Sequence, residues 1–209
     1  MTTPRNPKRT RELLLQAAFQ EIYKSGFRGT DLQKILETAG VTKGALYHHF
    51  HSKEALGYAV VDELIAGVIR DRWLRPLQNA ENPIDALVGT VQSTSLNPND
   101  LRCGCPLNNL AQEMSPVDEG FRKRLAKLFR NWQGGIAAAL RNGQKRGVVR
   151  GGVEPSETAR FLIALYEGYT SLAKTLQDGR VLQSGTRNMT RSLESLRPRR
   201  RQTRAMPSR

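Results

Sequence analysis

GVTKGALYHHFHSKEAL, residues 40–56, is the stretch that decides the fold of this chain. It holds His48, His49 and His51 beside Tyr47, Lys43 and Lys53, a mixture that suits a metal site, a catalytic cluster or a surface lying against phosphates. The helix signals around it narrow the choice. Thr42 is a capping residue ahead of a short helix from Lys43 to about His49, and Val41, Leu46 and Phe50 fall on its inward side. Just upstream, Thr30 is placed to cap DLQKILETAG, where Leu32, Ile35 and Leu36 share one face and Gly40 stops the helix. Two short helices joined by a tight turn around a glycine predict a helix-turn-helix over about residues 31–50. The inward positions leave Thr42, Lys43, Gly44, Ala45, Tyr47 and His48 facing out. Small residues near the start of the second helix allow a close approach to a groove, while Lys43 and Tyr47 suit base edges and phosphate oxygens.

The rest of the chain reads as helix too. Apolar residues recur at helical spacing in KRTRELLLQAAFQEIYKSGF, and Gly26 is a natural stop. A long helix is expected from Ser52 towards Pro76, another from Pro83 to about Leu96, and a short one after Pro106. Ser115-Pro116 reads as the start of a helix to about Lys145, and PSETARFLIALYEGYTSLAKTL as the most apolar helix of all, with a weaker one running towards Leu196. NPNDLRCGCP carries turn chemistry and is expected to be a loop. No alternating strand pattern and no internal repeat competes. The predicted class is all-α.

Composition agrees with a DNA-binding reading without requiring it. The 209 residues carry a formal net charge of +14, and mean hydropathy is −0.52. Residues 1–55 hold nine Lys/Arg against five Asp/Glu, and the last thirteen residues hold six arginines and no acid. Such an excess favours polyanions through counterion release. No apolar run approaches the roughly 18 residues that span a bilayer, and no signal peptide is evident at the N-terminus. Two cysteines two residues apart do not make a disulfide framework. The expected location is therefore the cytoplasm, with no membrane partner.

GFRGTDLQKILETAGVTKGALYHHFHSKEAL resembles the DNA-binding headpiece of the TetR/AcrR family of transcriptional regulators, over Arg9 to Ala55. LYHHFHSKEAL is close to that family's Leu-Tyr-x-His-Phe-x-x-Lys-x-x-Leu pattern. The resemblance implies a three-helix N-terminal domain, a helical ligand-binding and dimerisation domain, and a homodimer on a palindromic double-stranded operator. It implies DNA contacts from Thr30 and Gln33, from Thr42, Lys43, Gly44, Ala45, Tyr47 and His48, and from Lys53. His49 becomes a structural residue and His51 part of a turn. A metal role is not expected, because no cysteine or carboxylate accompanies the histidines in a ligand pattern; no cofactor is expected either.

The expected organisation is a basic N-terminus at 1–8, a headpiece at 9–55, a helical body at 56–196 and a disordered Arg-rich tail at 197–209. Candidate effector-pocket residues are Cys103, Cys105, Leu107, Leu110, Met114, Phe121, Leu125, Phe129, Trp132, Tyr166 and Tyr169. Their apolar and aromatic character suits an apolar or aromatic small molecule. Glu113 and Glu167 are candidates to pair with a cationic ligand. Phe161, Leu162, Leu165, Leu172 and Leu176 are candidates for the dimer face.

The expected function is a ligand-responsive regulator, most simply a repressor released by its effector. An alternative is a thiol sensor of electrophiles or oxidants, with Arg102 and a helix N-terminus lowering the pKa of Cys103 or Cys105. A non-specific basic DNA binder working through the tail is a further alternative. An enzyme is not expected, since no Ser/His/Asp, paired-carboxylate or Gly-rich phosphate motif occurs.

Overall fold

The computed structural model describes residues 7–93 and 98–198, and every regular element among them is helical. The headpiece comprises α1 (Pro7–Ser25), α2 (Leu32–Ala39) and α3 (Lys43–His49). The body follows as α4 (Lys53–Ala59), α5 (Ala66–Ile69), α6 (Pro83–Ser93), α7 (Pro98–Cys103), α8 (Pro106–Met114), α9 (Glu119–Lys145), α10 (Pro155–Leu176) and α11 (Gly179–Glu194).

Local chemistry accounts for the ends of these elements. Asp118, Glu154 and Asp178 accept backbone N–H bonds at the starts of α9, α10 and α11. Gly40 closes α2 with φ +63°, a left-handed geometry that costs glycine little, and its N–H returns to the Glu37 carbonyl. The expected rod from Ser52 to Pro76 forms, but not as one regular α-helix. Wider π turns at Val60–Ile65 and Arg70–Leu74 interrupt it, and a tight 3-10 turn at Arg75–Leu77 finishes it.

Three expectations are corrected. The stretch beginning at Asn97 is not all loop, because α7 forms over Pro98–Cys103, with Pro at the first position where its missing N–H costs nothing. The long helix begins at Glu119 rather than at Ser115, because the Asp118 carboxylate caps it. The N-terminal boundary moves forward, since Pro7 and Lys8 already belong to α1. Of the expected N-terminus, residues 1–6 lie outside the described residues. So do 94–96 of the expected helix end, 97 of the expected loop and 199–209 of the Arg-rich tail. Arg197 itself is fastened to Glu194 and Asp85.

One continuous core runs through both parts. Leu14, Ala18, Ile35, Leu46 and Phe50 pack the headpiece, and Ile65, Trp73, Leu87, Phe121, Trp132, Leu140 and Ala159 pack the body. Within the body α10 lies between α9 and α11, and α11 packs against α6. Headpiece and body are also joined by an ion pair, in which the Arg11 guanidinium grips the Glu63 carboxylate and holds it below the ordinary carboxylate range.

Candidate nucleic-acid interface

The outward face of α3 is built by what its other face buries. Leu46 and Phe50 are 1% and 4% exposed, and Val41 packs partly against the same core. Thr42 caps the helix, its hydroxyl accepting the Ala45 N–H at 3.3 Å. With those positions fixed, Thr42, Lys43, Gly44, Tyr47 and His48 are all exposed, and Ala45 is half-buried. The Lys43 ammonium lies 6.0 Å from the centre of the Tyr47 ring, so a positive charge and a phenol occupy the same patch. Gln33 on α2 is exposed as well and donates its side-chain amide to Glu37. A lysine, a tyrosine, a histidine and a glutamine offer donors for base edges and phosphates, and two small residues let the backbone approach.

Two expected contact residues are placed differently. Thr30 is 7% exposed, and its hydroxyl donates 2.6 Å to the Gly26 carbonyl. Asp31, not Thr30, caps α2, with its carboxylate accepting the Gln33 N–H at 2.8 Å. Adjacent Thr and Asp are both good capping residues, and only the backbone geometry decides between them. Lys53 points back into the headpiece. Its ammonium donates to the Thr30 carbonyl at 2.8 Å and the Arg28 carbonyl at 3.4 Å, and sits 5.1 Å from the centre of the Phe27 ring. It therefore ties α4 to the turn before α2.

The three histidines stay on or near the surface, with the His48 and His49 rings 5.0 Å apart edge to face. Among the described residues no three His, Cys, Asp or Glu side chains gather as metal ligands would.

Among the described residues, the candidate effector side chains fall into separate groups. Trp132 and Tyr166 form an aromatic cluster with Trp73, at centroid distances of 4.8 to 5.8 Å, and Phe129 stacks on Trp132. Phe121 sits elsewhere, between Phe27 and Tyr58 near the headpiece. Leu107, Leu125 and Met114 are ordinary core, and Leu110 is core that also lines a small crevice with Phe19 and Tyr23. Tyr169 is half-buried, and its hydroxyl accepts from Asn188 of α11.

Glu167 is the unusual group of the body. It is 7% exposed, neither carboxylate oxygen has a hydrogen-bond partner among the described residues, and burial raises its pKa to about 7. The nearby Cys105 thiol and Arg72 charge oppose that rise without cancelling it.

Cys105 itself is buried, and burial followed by the Glu167 charge pushes its thiol well above the usual range. That is the reverse of the lowered pKa expected from its place at the start of α8. The desolvation of the sulfur outweighs the helix dipole. Cys103 is half-buried.

On α10, Phe161, Leu172 and Leu176 are 53%, 55% and 62% exposed, and Leu165 is half-buried beside them. Leu162 is not on that face; at 3% exposure it packs into the core.

Two family models match the chain. The one described as bacterial regulatory proteins, tetR family, covers residues 14–60, and the one described as tetracyclin repressor-like, C-terminal domain, covers residues 80–189. The HTH-type transcriptional repressor NemR of Escherichia coli is 34% identical over 169 residues, covering 79% of this chain and 84% of that protein. An uncharacterized HTH-type transcriptional regulator from Lactococcus lactis subsp. lactis is 33% identical, covering 86% and 90%. Among solved structures, reduced E. coli NemR superposes with a TM-score of 0.76 at 31% identity, covering 86% of this chain and 94% of its own. A TetR regulator from Chloroflexus aurantiacus gives 0.81 at 28% identity, covering 91% and 97%.

Proposed function

The chain belongs to the TetR family of bacterial regulatory proteins, and on that premise we propose that it is a sequence-specific, ligand-responsive repressor acting as a homodimer on a palindromic operator. The observation that carries this reading is the exposed face of α3, where Thr42, Lys43, Gly44, Tyr47 and His48 stand clear of a core formed by Leu46 and Phe50. In a dimer, two such faces about 34–36 Å apart enter successive major grooves. Transcriptional repressors among the relatives support the sign of regulation. Action on chromosomal DNA places the protein in the cytoplasm, and no helix of the described residues is long and apolar enough to cross a membrane.

The effector is an apolar or aromatic small molecule that shifts the headpieces to a spacing the operator does not accept. The aromatic cluster of Trp73, Trp132 and Tyr166 supports that chemistry. Decisive release requires the effector to prefer the non-binding state by a few kcal/mol. Of the alternative thiol sensor through Cys103 and Cys105, the Cys105 part draws no support from a sulfur that burial keeps protonated, while Cys103 is half-buried.

Selection of bound sequences from a random DNA library tests the reading, with wild type and a Lys43→Ala/Tyr47→Ala variant in parallel at near-physiological salt. A palindrome recovered by wild type alone is the expected result. Equal binding of all sequences by both proteins would transfer the function to the Arg-rich tail.

A further inference from the structure

We propose that Glu113 is a positioning residue for the headpiece: its carboxylate, carried by α8 of the body, is held by the backbone of the turn that leads into α2, so that the pose of the DNA-reading helices follows the position of α8. The inference rests on the regulator reading above.

The geometry is specific. One carboxylate oxygen of Glu113 accepts the Phe27 N–H at 2.8 Å, and the other accepts the Arg28 N–H at 2.7 Å. Two successive amides aimed at one point form an anion-binding nest. The turn achieves it because Gly26 has φ +75°, and a Cβ there would stand 2.9 Å from the nearer oxygen. The carboxylate therefore lies against bare backbone, across a sequence separation of 86 residues.

The same few residues of turn hold the interface in place. The Gly26 carbonyl accepts the Thr30 hydroxyl, and the Arg28 and Thr30 carbonyls accept the Lys53 ammonium from α4. A shift of the turn displaces the start of α2 and loosens α4 together.

On the other side, α8 is tied to the body's interior. Asn109 of α8 accepts from Lys174 of α10 at 3.0 Å and donates to the Cys103 carbonyl at 2.6 Å. Leu107, Leu110 and Met114 seat the helix in the core, and Cys105 at its start lies beside the buried Glu167. A second link runs parallel to the first, with the Tyr23 hydroxyl of α1 donating to the Gly104 carbonyl at 2.6 Å. Displacing α8 by an ångström or two carries the Glu113 oxygens beyond hydrogen-bonding range, which makes the contact sensitive to small shifts in the body.

Full-length Glu113→Gln and Glu113→Ala provide the test, through three measurements against wild type. These are amide hydrogen exchange at Phe27 and Arg28, thermal unfolding, and affinity for the selected operator across a salt series. In Glu113→Ala, both amides are expected to exchange roughly tenfold faster or more. Operator affinity should weaken by about tenfold, because untethered headpieces must be ordered on binding. The salt slope should not change, since no phosphate contact is lost. Glu113→Gln, with one acceptor oxygen left, should fall between. Melting curves that stay close to wild type separate positioning from misfolding.

Unchanged exchange would overturn the binding of the carboxylate by the turn. Faster exchange with unaltered or tighter operator affinity would overturn the positioning role. If wild type selects no operator, the regulator reading fails and the DNA-positioning claim with it, whereas the exchange rates still decide whether Glu113 holds the turn.

Discussion

The ring of Phe27 meets the ring of Phe121 edge-on, with centroids 4.6 Å apart and planes at 60°. Phe27 belongs to the turn that leads into α2, and Phe121 to the first turn of α9. The pair is thus a hydrophobic rivet between headpiece and body. Tyr58 closes the other edge of Phe121 at 4.9 Å, its hydroxyl bonded to the carboxylate of Asp118 that also caps α9. Rigid aromatic contacts of this kind transmit displacement because close-packed interiors do not deform smoothly.

Gly57 of α4 lies directly beneath that rivet. A Cβ there would fall 2.5 Å from Phe27 and 2.7 Å from Phe121, so Gly57→Ala forces the rings apart. The expected cost is about 1–3 kcal/mol, seen as a thermal midpoint lowered by several degrees. Adding Phe121→Leu should recover part of the loss, as the two positions share one space. A Gly57→Ala midpoint equal to wild type would show that the rings are not held where they stand.

Lys43 and Lys53 sit ten residues apart and should respond differently to truncation. Lys43 is exposed and free of the core, so Lys43→Ala, lost from both subunits of the dimer, should reduce the slope of log affinity against log salt by about two and leave stability unchanged. Lys53→Ala removes charged hydrogen bonds to two carbonyls and should destabilise the chain by about 1 kcal/mol. Operator titrations between 50 and 200 mM salt, as an order of magnitude for the useful window, with parallel melts, separate the two. A Lys43→Ala slope equal to wild type would remove Lys43 from the phosphate contacts.

The headpiece was legible because its information is local. Leu32, Ile35 and Leu36, then Gly40, then Leu46 and Phe50 specify two short helices and the turn between them within 20 residues. Where neighbours compete for one role, the sequence is ambiguous, as with Thr30 and Asp31 at the start of α2. The π turns within residues 60–74 leave no such signature, because they reflect packing against α1, α8 and α9 rather than any capping residue. The effector candidates divide into separate groups for a geometric reason. Phe121 and Trp132 share a face of α9, yet eleven residues of helix separate them by about 16 Å, which puts one at the headpiece and the other deep in the body. Glu113 reads in the sequence as a candidate partner for a cationic ligand rather than for the turn, since the amides that bind it lie more than eighty residues upstream.

Burial raises the Glu167 carboxyl from an ordinary 4.5 to about 7, with Cys105 and Arg72 opposing. The folded chain then holds this proton more tightly than the unfolded chain does. The stability that goes with the neutral group is complete below pH 4.5 and is lost as pH rises through 7. Glu167→Gln removes the titration, so the variant should gain on wild type by up to about 3 kcal/mol between pH 4.5 and pH 8. Denaturant unfolding at those two pH values measures the change. A constant difference between the two proteins would mean that the carboxyl titrates normally in the folded state.

The exposed stripe of α10 has the character of a dimer face. Phe161, Leu165, Leu172 and Leu176 recur along one side of the helix with Gly168 between them, where a side chain would meet nothing within 4 Å. A smooth apolar stripe with a small residue at its centre suits the same stripe of a second copy across a two-fold axis. Each buried leucine contributes about 1.5–3 kcal/mol, and symmetry counts every substitution twice. Leu172→Glu should therefore raise the dimer dissociation constant by roughly a hundredfold or more, and sedimentation should then report the 23.4 kDa chain alone at dilutions where wild type is still dimeric. Leu162→Ala is the matched control, because Leu162 is buried within one chain. It should lower the melting temperature and leave the mass unaltered. A Leu172→Glu protein that sediments as wild type does would move the dimer interface off α10, and the spacing of the two recognition helices would then have to be set by another surface.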